Sequence, residues 1–224
     1  MWETIKIKID EQRSTTGLFT PGSEHKPGII LAHGAGGDMR GELLSAIHEY
    51  FAGKGYSFLR FNFLYKDLGR KAPDRQPVLM DTYQKAISFF MESSRTNGKL
   101  IIGGKSMGGR IASYLSPSMN ISGLLFLGYP LHPAGHPEKL RDEHLYDQNL
   151  PMLFIQGTKD ALCNYDLMTN VSKRIGPSAK LIPVKEGNHS FSVPKRTGRS
   201  QDEIFNSIVD NADRWIQSNF YQTI

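Results

Sequence analysis

The sequence predicts an α/β fold, a mostly parallel, doubly wound sheet fronted by an N-terminal antiparallel hairpin. Three observations carry that reading. Gly28-Ile29-Ile30-Leu31-Ala32 and Leu100-Ile101-Ile102 are unbroken apolar runs, and Ile121 to Leu127 is interrupted only by Ser122, as expected of strands buried on both faces. Between such runs, apolar residues recur at helical spacing. The chain opens on the alternating segment Glu3 to Ile9, followed after a polar turn by Ser14 to Thr20, which reads as a hairpin.

The elements follow in order. Leu43, Leu44, Ile47 and Phe51 mark the first helix, and Tyr56 to Phe61 the next strand. A polar loop from Asn62 to Gln76 precedes a helix with Leu79, Tyr83, Ala86, Ile87 and Phe90 on one face. A strand at Leu100 runs into another helix, and Ile121 to Leu127 is again a strand. Tyr129 to Leu150 is the longest irregular connection. Pro151 to Gln156 and Lys180 to Val184 are the last strands, with a helix around Leu167 and Val171 between them. Ile204, Ile208, Ala212, Trp215 and Ile216 mark the final helix. Regular alternation of strand and helix makes the sheet parallel, and residues 1–224 are expected to form one domain without a separate lid.

Composition narrows the possibilities. The 224 residues are 39% hydrophobic and 22% charged, ordinary for a globular chain. No apolar run is long enough to span a bilayer, and the first residues lack the apolar core of a signal peptide. A single cysteine, Cys163, excludes an internal disulfide and fits a reducing, cytoplasmic setting. The net charge of +5 is modest. Its basic clusters, Lys66 to Arg75 and Lys195 to Arg199, read as solvated faces, so neither nucleic acid nor a membrane is an expected partner. The oligomeric state is left open.

The chemistry concentrates at Gly104-Lys105-Ser106-Met107-Gly108. A serine flanked by glycines two residues to either side, after a strand and before a helix, is a nucleophile elbow, the hallmark of an α/β-hydrolase fold. The sharp turn lifts the hydroxyl clear of the sheet and leaves no room for Cβ atoms at the two glycines. It also frees the Met107 N–H, at a helix N-terminus, for a developing oxyanion.

In such folds the catalytic order along the chain is serine, acid, histidine. Gly157-Thr158-Lys159-Asp160 follows the strand ending at Gln156, and Gly187-Asn188-His189 follows the strand ending at Val184. Parallel sheets carry their catalytic groups beyond the carboxyl ends of strands. Ser106 is therefore expected as nucleophile, His189 as base and Asp160 as the group that orients it. The loop His33-Gly34-Ala35-Gly36-Gly37-Asp38 should supply a second oxyanion donor, Ala35 first and Gly36 second, with His33 tethering the loop. Phe63, Tyr129 and Phe191 are expected at the substrate rim. Lys105, beside the nucleophile, and Arg110 on its helix could favour an anionic group, but the stronger reading is that they face solvent.

Rival chemistries fit less well. A phosphate loop needs a glycine five residues before Gly104, where Lys99 stands. His132 and His136 lie in a Pro- and Gly-containing loop whose spacing does not converge them on a metal. Cys163 has no elbow around it. The expected substrate is a small acyl compound, a carboxylic ester or thioester, attacked by Ser106 to give an acyl-enzyme. A weakly active or inactive scaffold acting by protein interaction is the alternative, and retention of all three triad residues favours the enzyme.

Five motifs together resemble one family: His33-Gly34-Ala35-Gly36-Gly37, Arg60-Phe61-Asn62-Phe63, Gly103 to Arg110, Gly128-Tyr129-Pro130-Leu131-His132-Pro133 and Gln156 to Asp160. The chain is similar to small, dienelactone-hydrolase-like α/β-hydrolases. The resemblance is nearest to the hydrolase-like domain shared by a subunit of the NSL histone-acetyltransferase complex and a testis-expressed relative. It implies Ser-Asp-His machinery without metal or other cofactor, and little about substrate.

Overall fold

The computed structural model describes residues 2–221. Strands β1 (Glu3–Lys8) and β2 (Ser14–Thr20) form the antiparallel hairpin. They are followed by β3 (Gly28–Ala32), α1 (Glu42–Gly53), β4 (Phe58–Phe61), the short α2 (Leu64–Asp67) and α3 (Gln76–Ser93). Then come β5 (Leu100–Lys105), α4 (Met107–Leu115), β6 (Gly123–Leu127) and β7 (Met152–Gly157). The chain closes with α5 (Tyr165–Ile175), β8 (Ala179–Val184) and α6 (Gln201–Phe220). All eight strands form one sheet in the order β1-β2-β4-β3-β5-β6-β7-β8, parallel from β4 to β8.

The unbroken apolar strands are explained by two cores. Ile30, Ala32, Ile102, Leu124, Phe126 and Phe154 face α3, α4 and α5, which contribute Tyr83, Phe90, Ile111 and Met168. Their neighbours Ile29, Leu31, Ile101, Leu125, Leu127 and Ile155 face α1 and α6, which contribute Ile47, Phe51, Ile208 and Trp215. Side chains alternate across a strand, so burial on both faces requires an apolar residue at every position. The chain steps from β3 to β4 on one side and to β5 on the other. The crevice at this reversal is where open α/β sheets bind ligands.

Strand bounds shift by one or two residues from expectation, as where β6 begins at Gly123 rather than Ile121. The fourth strand begins at Phe58 rather than Tyr56, and Tyr56 is buried below it with its hydroxyl bonded to Tyr221. The connection from Asn62 to Gln76 is not simply a polar loop, because Leu64 and Tyr65 are buried in α2. Asp67 at the end of α2 accepts the Thr15 hydroxyl at 2.9 Å and the Asn62 amide at 2.7 Å, fixing this turn to β2.

A buried polar cluster joins the hairpin to α1. His48 Nδ1 accepts from Arg60 Nε at 3.1 Å, while Nε2 lies 2.8 Å from the Thr20 hydroxyl, and the ring stacks on Phe58. A guanidinium only donates, so the ring is neutral with its proton on Nε2. Burial, then the Arg60 charge, lowers the His48 pKa to about 3. Between that value and the unfolded value of about 6.5, the unfolded chain binds more protons than the folded one. Stability therefore falls as pH drops through this window, by up to ~1.4 kcal/mol per pH unit for His48. Urea midpoints measured from pH 7 to 4.5 will show this slope. It will be shallower in His48→Gln, which keeps an acceptor for Arg60 but does not titrate.

Candidate active site

The elbow lies where β5 passes into α4. Ser106 has φ 51° and ψ −115°, a left-handed backbone that an ordinary residue holds only when its surroundings enforce it. The enforcing contact is with β3. A Cβ at Gly104 would stand 2.1 Å from the Ala32 carbonyl oxygen, and one at Gly108 would stand 2.4 Å from the same atom. Gly104 also has φ 149°. The Ser106 N–H donates to Leu127 O at 3.0 Å and its carbonyl accepts from Arg110 N–H at 3.1 Å. Met107 is the first helical residue, so its N–H has no intrahelical acceptor.

The structure brings Ser106, His189 and Asp160 together in one hydrogen-bonded chain. Ser106 Oγ lies 2.8 Å from His189 Nε2, and His189 Nδ1 lies 2.7 Å from Asp160 Oδ2. A carboxylate only accepts, so Nδ1 carries the ring proton and Nε2 is free to accept the serine proton. The Asp160 side chain is fully buried, while His189 is 26% exposed. Asp160 also accepts from Gln156 Nε2 at 2.7 Å and from Leu162 N–H at 2.8 Å. The two loops are tied together: Lys159 N–H donates to Gly187 O, and Glu186 N–H donates to the Thr158 hydroxyl, each at 2.9 Å. Asn188 Oδ1 accepts from Ser190 and Ser192 N–H, closing the turn that presents His189.

The loop after β3 is held from below by His33. Its Nε2 accepts the Phe63 N–H at 3.1 Å, which leaves Nδ1–H to donate to the Gly34 carbonyl at 2.7 Å. Burial lowers the His33 pKa to about 4, so this neutral tether persists at ordinary pH. The Gly34 carbonyl also accepts from Gly37 N–H at 3.2 Å. A trans peptide then points the Ala35 N–H the opposite way. The Tyr65 hydroxyl donates to the Ala35 carbonyl at 2.8 Å, orienting the next peptide and the Gly36 N–H. Gly34 passes so close to the nucleophile that a Cβ there would be 3.4 Å from Ser106 Cβ.

A cavity of about 580 Å³ opens over these groups. Ser106, His189, Ala35 and Gly36 line it, with an apolar wall of Leu43, Leu44, Leu162 and Phe205. Here the expected rim is corrected. Phe63, Tyr129 and Phe191 are fully buried and none lines the cavity. The Phe63 ring packs edge-on against His33, 5.1 Å between centroids, and so supports the tether. Tyr129 packs on Phe126 and Phe154 while its hydroxyl donates to Arg141 O at 2.8 Å. Phe191, with φ 62°, packs into the core beneath the His189 turn.

Lys105 is the second correction: it is partly buried and lines the cavity rather than facing solvent. Arg110 is also partly buried, with its Nε sealed from solvent. Sequence reasoning did not single out Gln156 or Tyr65 as partners of the site, although Gln156 stands in a quoted motif. His132 and His136 do not converge. His132 Nε2 accepts Asn164 N–H at 2.8 Å, and His136 bonds Glu138. Among the described residues, no group of three His, Cys, Asp or Glu side chains is placed to hold a metal ion. No helix among them is long and apolar enough to cross a membrane.

A serine on a strained strand-to-helix turn, facing a histidine and a buried carboxylate from the next strand ends, defines the α/β-hydrolase architecture. The chain belongs to the alpha/beta hydrolase domain family, whose pattern matches residues 25–217. Solved structures share the fold at low identity. Est1E from Butyrivibrio proteoclasticus superposes with a TM-score of 0.70 at 14% identity, covering 95% of this chain and 98% of its own. Esterase 2 from Thermogutta terrifontis, phosphorylated by paraoxon, gives 0.74 at 15%, covering 100% and 96%. Dienelactone hydrolase from Anabaena variabilis gives 0.73 at 16%, covering 99% of each chain.

The elbow contact yields a stability prediction. Alanine ordinarily favours a helix over glycine by about 1 kcal/mol. At Gly108 the added methyl meets the Ala32 carbonyl, so Gly108→Ala will destabilise by about 2 kcal/mol or more in urea unfolding.

Proposed function

We propose that the chain is a serine hydrolase that transfers the acyl group of a carboxylic ester or thioester to water. The observation that supports this best is the continuous bonding from Ser106 Oγ through His189 to Asp160, at 2.8 and 2.7 Å, opening into an accessible cavity. His189 Nε2 takes the Ser106 proton as Oγ attacks the carbonyl carbon. The resulting oxyanion accepts from the Met107 and Ala35 N–H groups, with Gly36 as the neighbouring donor. The tetrahedral adduct collapses as His189 returns the proton to the departing alcohol or thiol, leaving Ser106 acylated. Water, deprotonated by His189, then attacks the acyl carbon, releasing the carboxylic acid and the free serine. Asp160 holds the ring tautomer and stabilises the imidazolium throughout.

The apolar wall favours an aliphatic or aromatic acyl group of modest size. The narrower kinship to the NSL-subunit and testis-expressed hydrolase-like domains belongs to this reading as well, carried by the motifs quoted above.

A fluorophosphonate probe will label the wild-type protein and not Ser106→Ala; absence of wild-type labelling would overturn the reading in favour of a scaffold. Ser106→Ala and His189→Ala will each lower ester turnover by about six orders of magnitude, and the double variant will be scarcely worse, because the residues act as one unit. Phe205→Ala, which widens the cavity, will shift kcat/KM towards longer acyl chains by about tenfold.

A further inference from the structure

Lys105 precedes the nucleophile and lines the same cavity as Ser106 and His189. Its ammonium lies 5.5 Å from the centre of the Phe191 ring and would be 3.1 Å from a Cβ on Gly128. Among the described residues it makes neither a hydrogen bond nor an ion pair. Asp160 attracts it from a distance, but that carboxylate is already bonded to His189, Gln156 and Leu162. Asp38 and Glu42 also line the cavity, but both are solvent-exposed. By contrast Lys54, largely in solvent, is paired with Asp213 at 2.7 Å.

A partly buried ammonium that faces only a ring and a backbone edge is poorly compensated for the water it has lost. Desolvation accordingly pulls it down to about 8, which still leaves it charged at pH 7. A ligand anion would supply the missing partner. Lys105 and the nucleophile are adjacent residues, with Cα atoms about 3.8 Å apart, and both line this cavity, so an anion bound by one and a carbonyl attacked by the other would share it.

We propose that Lys105 is a specificity-determining residue that binds a carboxylate on the substrate, so that the preferred substrates are esters or thioesters bearing a carboxylate near the scissile bond. This rests on the serine-hydrolase reading above and narrows its substrate class.

The test compares charged and neutral esters of matched size at pH 7. One pair, mono-4-nitrophenyl glutarate and 4-nitrophenyl pentanoate, carries the charge on the acyl side. The other, 4-acetoxybenzoate and phenyl acetate, carries it on the leaving group. Lys105→Met keeps the apolar stem and removes the charge. In at least one pair it will cut kcat/KM for the anionic ester by about tenfold or more, leaving the neutral partner within about twofold. Lys105→Arg will restore the preference. Equal losses for both members of each pair, or no change in either pair, would make Lys105 a packing residue and overturn the proposal. A wild-type protein that hydrolyses none of the four esters overturns the serine-hydrolase reading, and this proposal with it.

Discussion

The Ala32 carbonyl occupies the space in which side chains at positions 104 and 108 would have to stand. That close approach lets the chain reverse from β5 into α4 without moving β3 aside, and it holds Ser106 in its left-handed conformation. The same strand end leads directly into His33 and the glycine loop. One backbone contact therefore sets both the height of the hydroxyl above the sheet and its distance from the peptides that face it. The remaining catalytic candidates come from β7 and β8, further along the same edge, so their placement follows from sheet register rather than from separate devices.

The strands and helices were legible because burial on both faces demands unbroken apolar runs, a pattern visible without coordinates. The elbow was legible because steric exclusion restricts two positions to glycine, and Asp160 and His189 because each follows a strand. The cavity wall was not. Phe63, Tyr129 and Phe191 stand in loops beside the site, yet loop aromatics also serve as supports, and here all three turn inward. Periodicity carries no sign of which way a loop side chain points. Leu43, Leu44 and Phe205 lie on helices, where the amphipathic pattern assigned Leu43 and Leu44 to the core without indicating an edge left open above Ser106. Lys105 was misjudged for the same reason: at the end of a strand, composition alone does not distinguish a charged side chain in water from one folded under a neighbouring turn.

The site also relies on histidines of opposite character. His189 is partly open and bonded to a carboxylate, the setting that the proposed mechanism asks of its base. His33 is buried, accepts one backbone N–H and donates to one carbonyl, and burial keeps it neutral. It holds the glycine loop in place, so in the proposed reaction the peptide dipoles near Ser106 would need little rearrangement as negative charge develops.

The acid and the base are borne by loops that leave neighbouring strands, and β8 is the outermost of these, with only Val184 fully buried along its length. Sheet margins are where native proteins open most cheaply. The turn that bears His189 is tied to the β7 side only through contacts such as Lys159 N–H to Gly187 O, so a breath of that margin would draw His189 away from Ser106 and from Asp160, which stays with β7. Loosening of that border strand would then part the ring from the hydroxyl while the interior strands and both apolar layers were still intact.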